Sequence, residues 1–258
     1  MQSLQLAPVC ALALAMSACA MQSPRPDPQL MRAAIEAAVA SPDRPAKDRE
    51  QDEKRMPVEA MQFFGVAPGM KVLDMFALTG WYTELLARVV GPKGEVYMQN
   101  PPEVLERRGD KEVVERLAGN RLPNVVRWDK PLNDMGLKDN YFDGAMVNLV
   151  YHDFFWLSND VDDITRDLYK ALKPGGFVAL VDHAAPPGTS TSFAVDRRGQ
   201  HRIDEDVVKQ KFKAAGFVLE AESDIMRVPG DDRTKPFFAP EMQGKNTDKF
   251  VLRFRKPR

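Results

Sequence analysis

A chain of 258 residues, 44% hydrophobic and 28% charged, is long enough to bury one sizeable core, and nothing in it points to a second domain of comparable size. Its 36 basic and 37 acidic side chains leave a net charge of -1, so no global field draws it to nucleic acid or to an anionic membrane, and a small or local partner is expected. Both cysteines, Cys10 and Cys19, fall in the apolar N-terminal stretch, which excludes disulfide and thiolate chemistry from the folded body.

The run Leu4 to Ala20 is apolar, rich in small residues and too short for a comfortable membrane span, so residues 1–20 read as a signal peptide. Met16-Ser17-Ala18-Cys19 resembles a bacterial lipobox, which would leave a lipid anchor on Cys19; the competing route cuts after Ala20. Either route puts the protein outside the cytoplasm, in the periplasm or anchored to a membrane. A frayed apolar terminus is the alternative, because no Lys or Arg precedes the run.

Residues 21–55 read as a tether and helical extension. Ser23 to Pro28 is proline-rich, and a helix over 29–40 places Leu30, Ala34, Ala37 and Ala38 near one face, expected to pack loosely on the main domain. The charge-dense stretch Ser41 to Arg55 is expected to be a solvated face rather than a substrate contact. Pro57 suits a helix start, and residues 56–258 form the main domain.

From Pro68 onward short apolar runs alternate with helical segments, the pattern of a mostly parallel sheet with helices on both faces. Strands are expected near 70–76, 95–99, 124–128, 142–149, 176–182, 217–223 and 248–255, the fourth and fifth central because they are continuously apolar. Helices are expected over 81–90, over 160–172 with Ser158 as cap, and from Asp204 to a stop at Gly216. Residues 225–246, punctuated by Pro229, Gly230, Pro236, Pro240 and Gly244, form a long excursion that reads as a lid or a surface loop.

The stretch Val72-Leu73-Asp74-Met75-Phe76-Ala77-Leu78-Thr79-Gly80 reads as a buried strand that passes through one glycine into a helix, where an α/β sheet places a nucleotide-like ligand. Phe76 and Leu78 stand where such loops usually carry small residues. Taken with Tyr141-Phe142-Asp143 and Leu172-Lys173-Pro174-Gly175-Gly176-Phe177, the stretch Ala67 to Asp74 resembles the first, fourth and fifth strand signatures of class I S-adenosylmethionine-dependent methyltransferases. Val181 to Gly188, His201 to Asp204 and Ala214 to Phe217 are similar to a narrower group of exported bacterial predicted methyltransferases.

The resemblance spans about residues 40 to 257. It implies a three-layer, Rossmann-like α/β fold whose seven strands lie in the order 3-2-1-4-5-7-6 with the last one antiparallel, and S-adenosylmethionine as cofactor. Carried over by position, it assigns cofactor contacts to Asp74, Gly80 and Asp129, the last beside the adenine; Tyr82 is mainly packing but within reach of the cofactor's carboxylate. Asn100 stands where a carboxylate commonly binds the ribose, a weaker acceptor than the charged group it replaces.

Methyl transfer from a sulfonium is an in-line displacement, so a base is needed only when the acceptor must lose a proton. His152, after the fourth strand, is the first candidate for that base; Asp182 and His183, after the fifth, are supporting or substrate-binding groups. The bland alternative is that the histidines cap strand ends by bonding to backbone. His152, His183 and His201 with Asp153 or Asp182 make a metal conceivable, but their spacing matches no compact metal motif and none is assigned. The expected function is methyl transfer to a small molecule; the competing one is an exported binding protein whose cofactor site is degenerate.

Overall fold

Short runs of aliphatic and β-branched residues, each closed by a turn, pair into one sheet. The computed structural model describes residues 27–108, 110–158, 160–194 and 199–258; the leader with Cys10 and Cys19 and the tether up to Pro26 lie outside the described residues. The strands are β1 (Lys71–Met75), β2 (Glu95–Asn100), β3 (Val125–Asp129), β4 (Phe142–Asn148), β5 (Leu172–His183), β6 (Val218–Ser223) and β7 (Lys249–Arg255). They lie in the order β3-β2-β1-β4-β5-β7-β6, with β7 running against both of its neighbours. Every expected strand is present, in the implied order.

The helices are α1 (Pro28–Ala40), α2 (Ala46–Arg49), α3 (Asp52–Arg55), α4 (Pro57–Phe64), α5 (Trp81–Val90), α6 (Pro102–Arg108), α7 (Lys111–Leu117), α8 (Tyr151–Leu157), α9 (Val161–Ala171) and α10 (Glu205–Ala214). One core unites α1, α4 and α5 on one face of the sheet through Ile35, Phe64, Leu85 and Leu86. The other unites α8, α9 and α10 on the opposite face through Phe154, Ile164, Leu168 and Phe212. Covering both faces is what permits the middle of β4 (Ala145 to Val147) and of β5 (Phe177 to Val181) to be continuously apolar. No described helix is long and apolar enough to cross a membrane.

Three expectations are corrected. The first helix does not pack loosely: Ile35 is fully buried against α5 together with Ala38, while Leu30 points to solvent, because the large branched side chain of Ile35 sets the buried face. The charge-dense stretch is a solvated face only in part, since Asp43, Lys47, Arg49, Glu50, Glu53 and Lys54 are exposed while Arg44 and Asp48 turn inward. Arg44 is buried, donates to the Val39 carbonyl at 2.7 Å and grips both Asp52 oxygens at 2.7 Å, while Asp48 pairs with Arg116 at 2.8 Å. Lastly, α9 is capped by Asp160, whose side chain accepts from the Asp163 amide at 2.8 Å, and not by Ser158.

Candidate functional site

Because β1 pairs with β2 on one side and β4 on the other, the chain leaves these neighbours in opposite directions and a crevice opens at their carboxyl ends. The loop after β1 crosses it with Phe76 at φ 53°, Leu78 at φ 52° and Gly80 at φ 77°, so bulky residues hold left-handed conformations that glycine adopts without cost. Gly80 caps α5, and a Cβ there would lie 2.7 Å from Met98 Cε.

On the far side, Leu149 turns the end of β4 directly into α8, whose first turn carries His152 and Asp153. Asp182, fully buried at the end of β5, accepts from the His152 amide at 2.9 Å and the His183 amide at 2.7 Å, and its Oδ1 meets His152 Nδ1 at 2.6 Å. An ionised carboxylate can only accept, so Nδ1 carries the hydrogen and Nε2 faces the opposite way. There it meets Asp153 Oδ1 at 3.3 Å and His201 Nδ1 at 3.3 Å. His201 reaches this point through the bridge between Ala184 and Ile203 that lays its segment beside the end of β5. His183 stacks on Phe237 with ring centres 4.9 Å apart and meets Thr247 Oγ1 at 2.7 Å.

Burial pulls the His152 imidazolium down, but the charges of Asp182 and Asp153 and the bonds they make outweigh it and push it up to about 10. Burial pushes the Asp153 carboxyl up, yet bonds from His152, His201 and Trp156 hold it well below the usual carboxylate range. His183 moves the other way, as burial and then the positive charge of His152 keep its ring neutral well below its ordinary value. Burial lowers Lys249 to about 8 against the charges of Asp248 and Asp231.

A cavity of about 590 Å³ runs along this edge. Phe76 and Leu78 bound it on the loop side, His152, Asp153, His183 and His201 on the strand-end side. Gln51, Lys54 and Arg55 form one further wall, and Phe237, Phe238, Lys245 and Lys249 another. The excursion thus borders the site, and the stretch read as a solvated face supplies a wall of it. An exposed Phe-Phe pair inside a proline-rich loop was the available signal for the first; nothing local marked the second.

The five residues assigned to the cofactor lie beside or behind the cavity instead of lining it. Tyr82 is buried under the N-terminal segment, its hydroxyl donating to the Arg55 carbonyl at 3.4 Å. Asn100 is tied to the loop, accepting from the Leu78 amide at 2.7 Å and donating to the Leu78 carbonyl at 3.0 Å. Asp129 Oδ2 accepts from Arg127 at 2.6 Å, while Oδ1 is buried without a partner among the described residues. Asp74 is buried and accepts from the Thr83 hydroxyl.

Burial raises Asp74 to about 7, against the Thr83 hydrogen bond and the Arg116 charge. An unfolded aspartate ionises near ~4, so between roughly pH 4 and the folded value the native state holds more protons than the unfolded one, and stability falls as pH rises through that window. Asp74→Asn is expected to flatten the melting temperature against pH between these limits, removing a variation on the order of a few kcal/mol. An unchanged pH profile in the variant would assign the slope to another group.

Residues 73–180 match the family described as "Methyltransferase domain". Among curated relatives, a demethylmenaquinone methyltransferase of a Geobacillus species is 32% identical over 151 residues, 58% of this chain and 57% of that protein. A ubiquinone/menaquinone biosynthesis C-methyltransferase of Yersinia enterocolitica is 26% identical over 162 residues, 61% of each. The chain therefore spans under two thirds of the length of these relatives.

Among solved structures, a SAM-dependent methyltransferase from Aquifex aeolicus superposes with a TM-score of 0.59 at 19% identity, covering 89% of this chain and 98% of that one. An arsenic(III) S-adenosylmethionine methyltransferase from Chlamydomonas reinhardtii gives 0.55 at 18%, covering 87% and 73%. The [4+2]-cyclase SpnF gives 0.58 at 16%, covering 88% and 93%. These likenesses show the fold.

S-adenosylmethionine is the cofactor that the domain and its kin indicate. The residues present fit it. A cavity adjoins the loop after β1, so the Phe76 and Leu78 side chains do not close the crevice, and the unpartnered Asp129 oxygen offers an acceptor at the end of β3. The replacement of the ribose carboxylate by an amide already engaged with Leu78 is the point of departure.

Proposed function

We propose that this protein is an S-adenosylmethionine-dependent methyltransferase whose acceptor is a small molecule with a flat apolar body and an anionic oxygen. The observation that carries the reading is the cavity at the carboxyl edge of β1 and β4, two strands that lie largely within the segment matching the methyltransferase-domain family. Bound there, the cofactor supplies an electrophilic methyl group. The turn at 76–80 and Asp129 are the groups that would hold it, with Asp74 and Tyr82 bracing the turn from behind.

The cavity's own residues describe the acceptor. Phe237, Phe238 and Trp156 offer aromatic surface, and Lys54, Arg55, Arg107, Lys245 and Lys249 offer positive charge against the single carboxylate of Asp153. Such a lining suits an ionised hydroxyl on a ring, a chemistry compatible with the quinone-directed names of the curated relatives. Both ring nitrogens of His152 are already engaged, so where the hydroxyl enters protonated, its proton falls to the neutral His183 ring, which lines the cavity with Thr247 fixing its orientation.

Calorimetric titration of the protein with S-adenosylhomocysteine, the demethylated product, is expected to show saturable binding at one site. Absence of any heat or thermal shift would defeat the reading and favour a binding protein that has lost the cofactor. That competing reading is not favoured by the domain match.

A further inference from the structure

The adjacent pair His152-Asp153 and the distant His201 bring one ligand-type atom each to a common point. His152 Nε2 and His201 Nδ1 are 3.3 Å apart, His201 Nδ1 and Asp153 Oδ1 3.1 Å, and His152 Nε2 and Asp153 Oδ1 3.3 Å. A point about 2.1 Å from all three exists just outside their plane, and from it the atoms subtend angles of about 95–104°, between the octahedral and tetrahedral values. Two imidazoles and a carboxylate on one face of a sphere are the donor set that divalent first-row transition ions take.

We propose that His152, Asp153 and His201 bind a divalent transition-metal ion whose remaining positions open into the cavity.

The surroundings are arranged as such an ion requires. His152 gives its other nitrogen to the fully buried Asp182 at 2.6 Å, which fixes the ring and leaves the Nε2 lone pair for a ligand role. Trp156 Nε1 donates to Asp153 Oδ1 at 2.7 Å and holds that carboxylate in place. With Nδ1 of His152 committed as a donor, a neutral ring directs the Nε2 lone pair at the Asp153 oxygen, and His201 Nδ1 can donate to only one of these two acceptors. A cation at the centre satisfies all three at once; the competing arrangement is a second proton on His152.

All three residues line the cavity, so the open coordination positions face the space assigned to the acceptor. An ion there would take an anionic oxygen directly and keep it ionised, a role that goes beyond the methyltransferase reading and does not depend on it. Sequence spacing concealed the site because His201 lies far along the chain from the adjacent pair His152-Asp153 and only the fold unites them.

The test uses the whole protein, stripped with a chelator and dialysed against Co²⁺, with Zn²⁺ as competitor. Expected are one ion per chain by elemental analysis, visible d–d bands that Zn²⁺ abolishes, and a rise in melting temperature on loading. Asp153→Asn and His201→Gln are each expected to weaken Co²⁺ binding by about tenfold or more, with unchanged far-ultraviolet circular dichroism. Wild-type protein that takes up no Co²⁺ above the variants' level, or shows neither bands nor a thermal shift, overturns the proposal and leaves a doubly protonated His152 as the occupant of the triangle. Should the variants not fold, the spectrum and thermal shift of the wild type decide. None of these readouts requires S-adenosylmethionine, so a failure here is separate from a failure of the methyltransferase reading.

Discussion

Replacing Glu84 by Ala is expected to lower the unfolding free energy by about 3–5 kcal/mol, the range for stripping one partner from a buried ionic cluster. The Glu84 side chain is 1% exposed and accepts from Arg88 at 2.9 Å, Arg116 at 2.7 Å, and both terminal nitrogens of Arg121 at 2.8 and 2.7 Å. Burial alone would push its carboxyl up, but Arg121 and Arg88 hold it below the ordinary carboxylate range. Without it, Arg116 keeps, among the described residues, Asp48 and the Thr79 carbonyl inside a site where its own side chain is 3% exposed. Urea unfolding followed by circular dichroism measures the loss; a change below about 1 kcal/mol would show that the cluster merely tolerates burial. Because Arg116 and Arg121 also hold the segment that carries Asp43 and Asp48, the variant is further expected to bind cavity ligands more weakly.

The second large effect concerns the turn after β1, where two positions of one loop should respond in opposite ways. Phe76 is 4% exposed and lies parallel to Phe154 at 6.5 Å between ring centres. Phe76→Gly removes that packing, a loss of about 3–5 kcal/mol, and recovers only about 1–2 kcal/mol from relaxing a left-handed backbone. Leu78 is half-buried, at the edge of the core, so Leu78→Gly trades a smaller packing loss against the same relaxation and is expected to be near neutral for stability. It also clears side-chain bulk from the cavity wall, and tighter binding of S-adenosylhomocysteine should follow. Equal melting temperatures for the two variants, or weaker binding by Leu78→Gly, would show that these side chains do not play the separate parts of core and wall.

The sheet was legible because its signals are local and redundant. Val72-Leu73-Asp74 and Val178-Ala179-Leu180-Val181 are apolar runs of strand length between turns, and the helix at Trp81 to Val90 has a period that no strand could use. Helix α8 was not legible: Tyr151 to Leu157 is short and aromatic, follows β4 after only two residues, and has no side-chain cap to announce it. That helix puts His152 and Asp153 in one turn, so the grouping around them could not be seen from spacing.

The N-terminal charges misled for a related reason. Charged residues cluster on solvated faces unless partners are available; Arg44 finds Asp52 within the same stretch, but the partners of Asp48 and of the Asp43 carbonyl are Arg116 and Arg121, which arrive only once α7 and the turn beyond it are in place. The excursion at 225–246 was read as a lid or a loop; the fold places Phe237, Phe238 and Lys245 at the cavity, while Asp231 pins the segment by accepting both terminal nitrogens of buried Arg202.

Two walls of the cavity, at 51–55 and 237–249, lie outside the segment 73–180 that matches the methyltransferase-domain family, whereas His152, Asp153 and the loop after β1 lie inside it. Inheritance can therefore act on the two parts separately. A lineage could exchange those flanking pieces to suit a different guest while leaving the strand ends untouched, so kinship measured over the common core carries little information about what the pocket has been selected to accept.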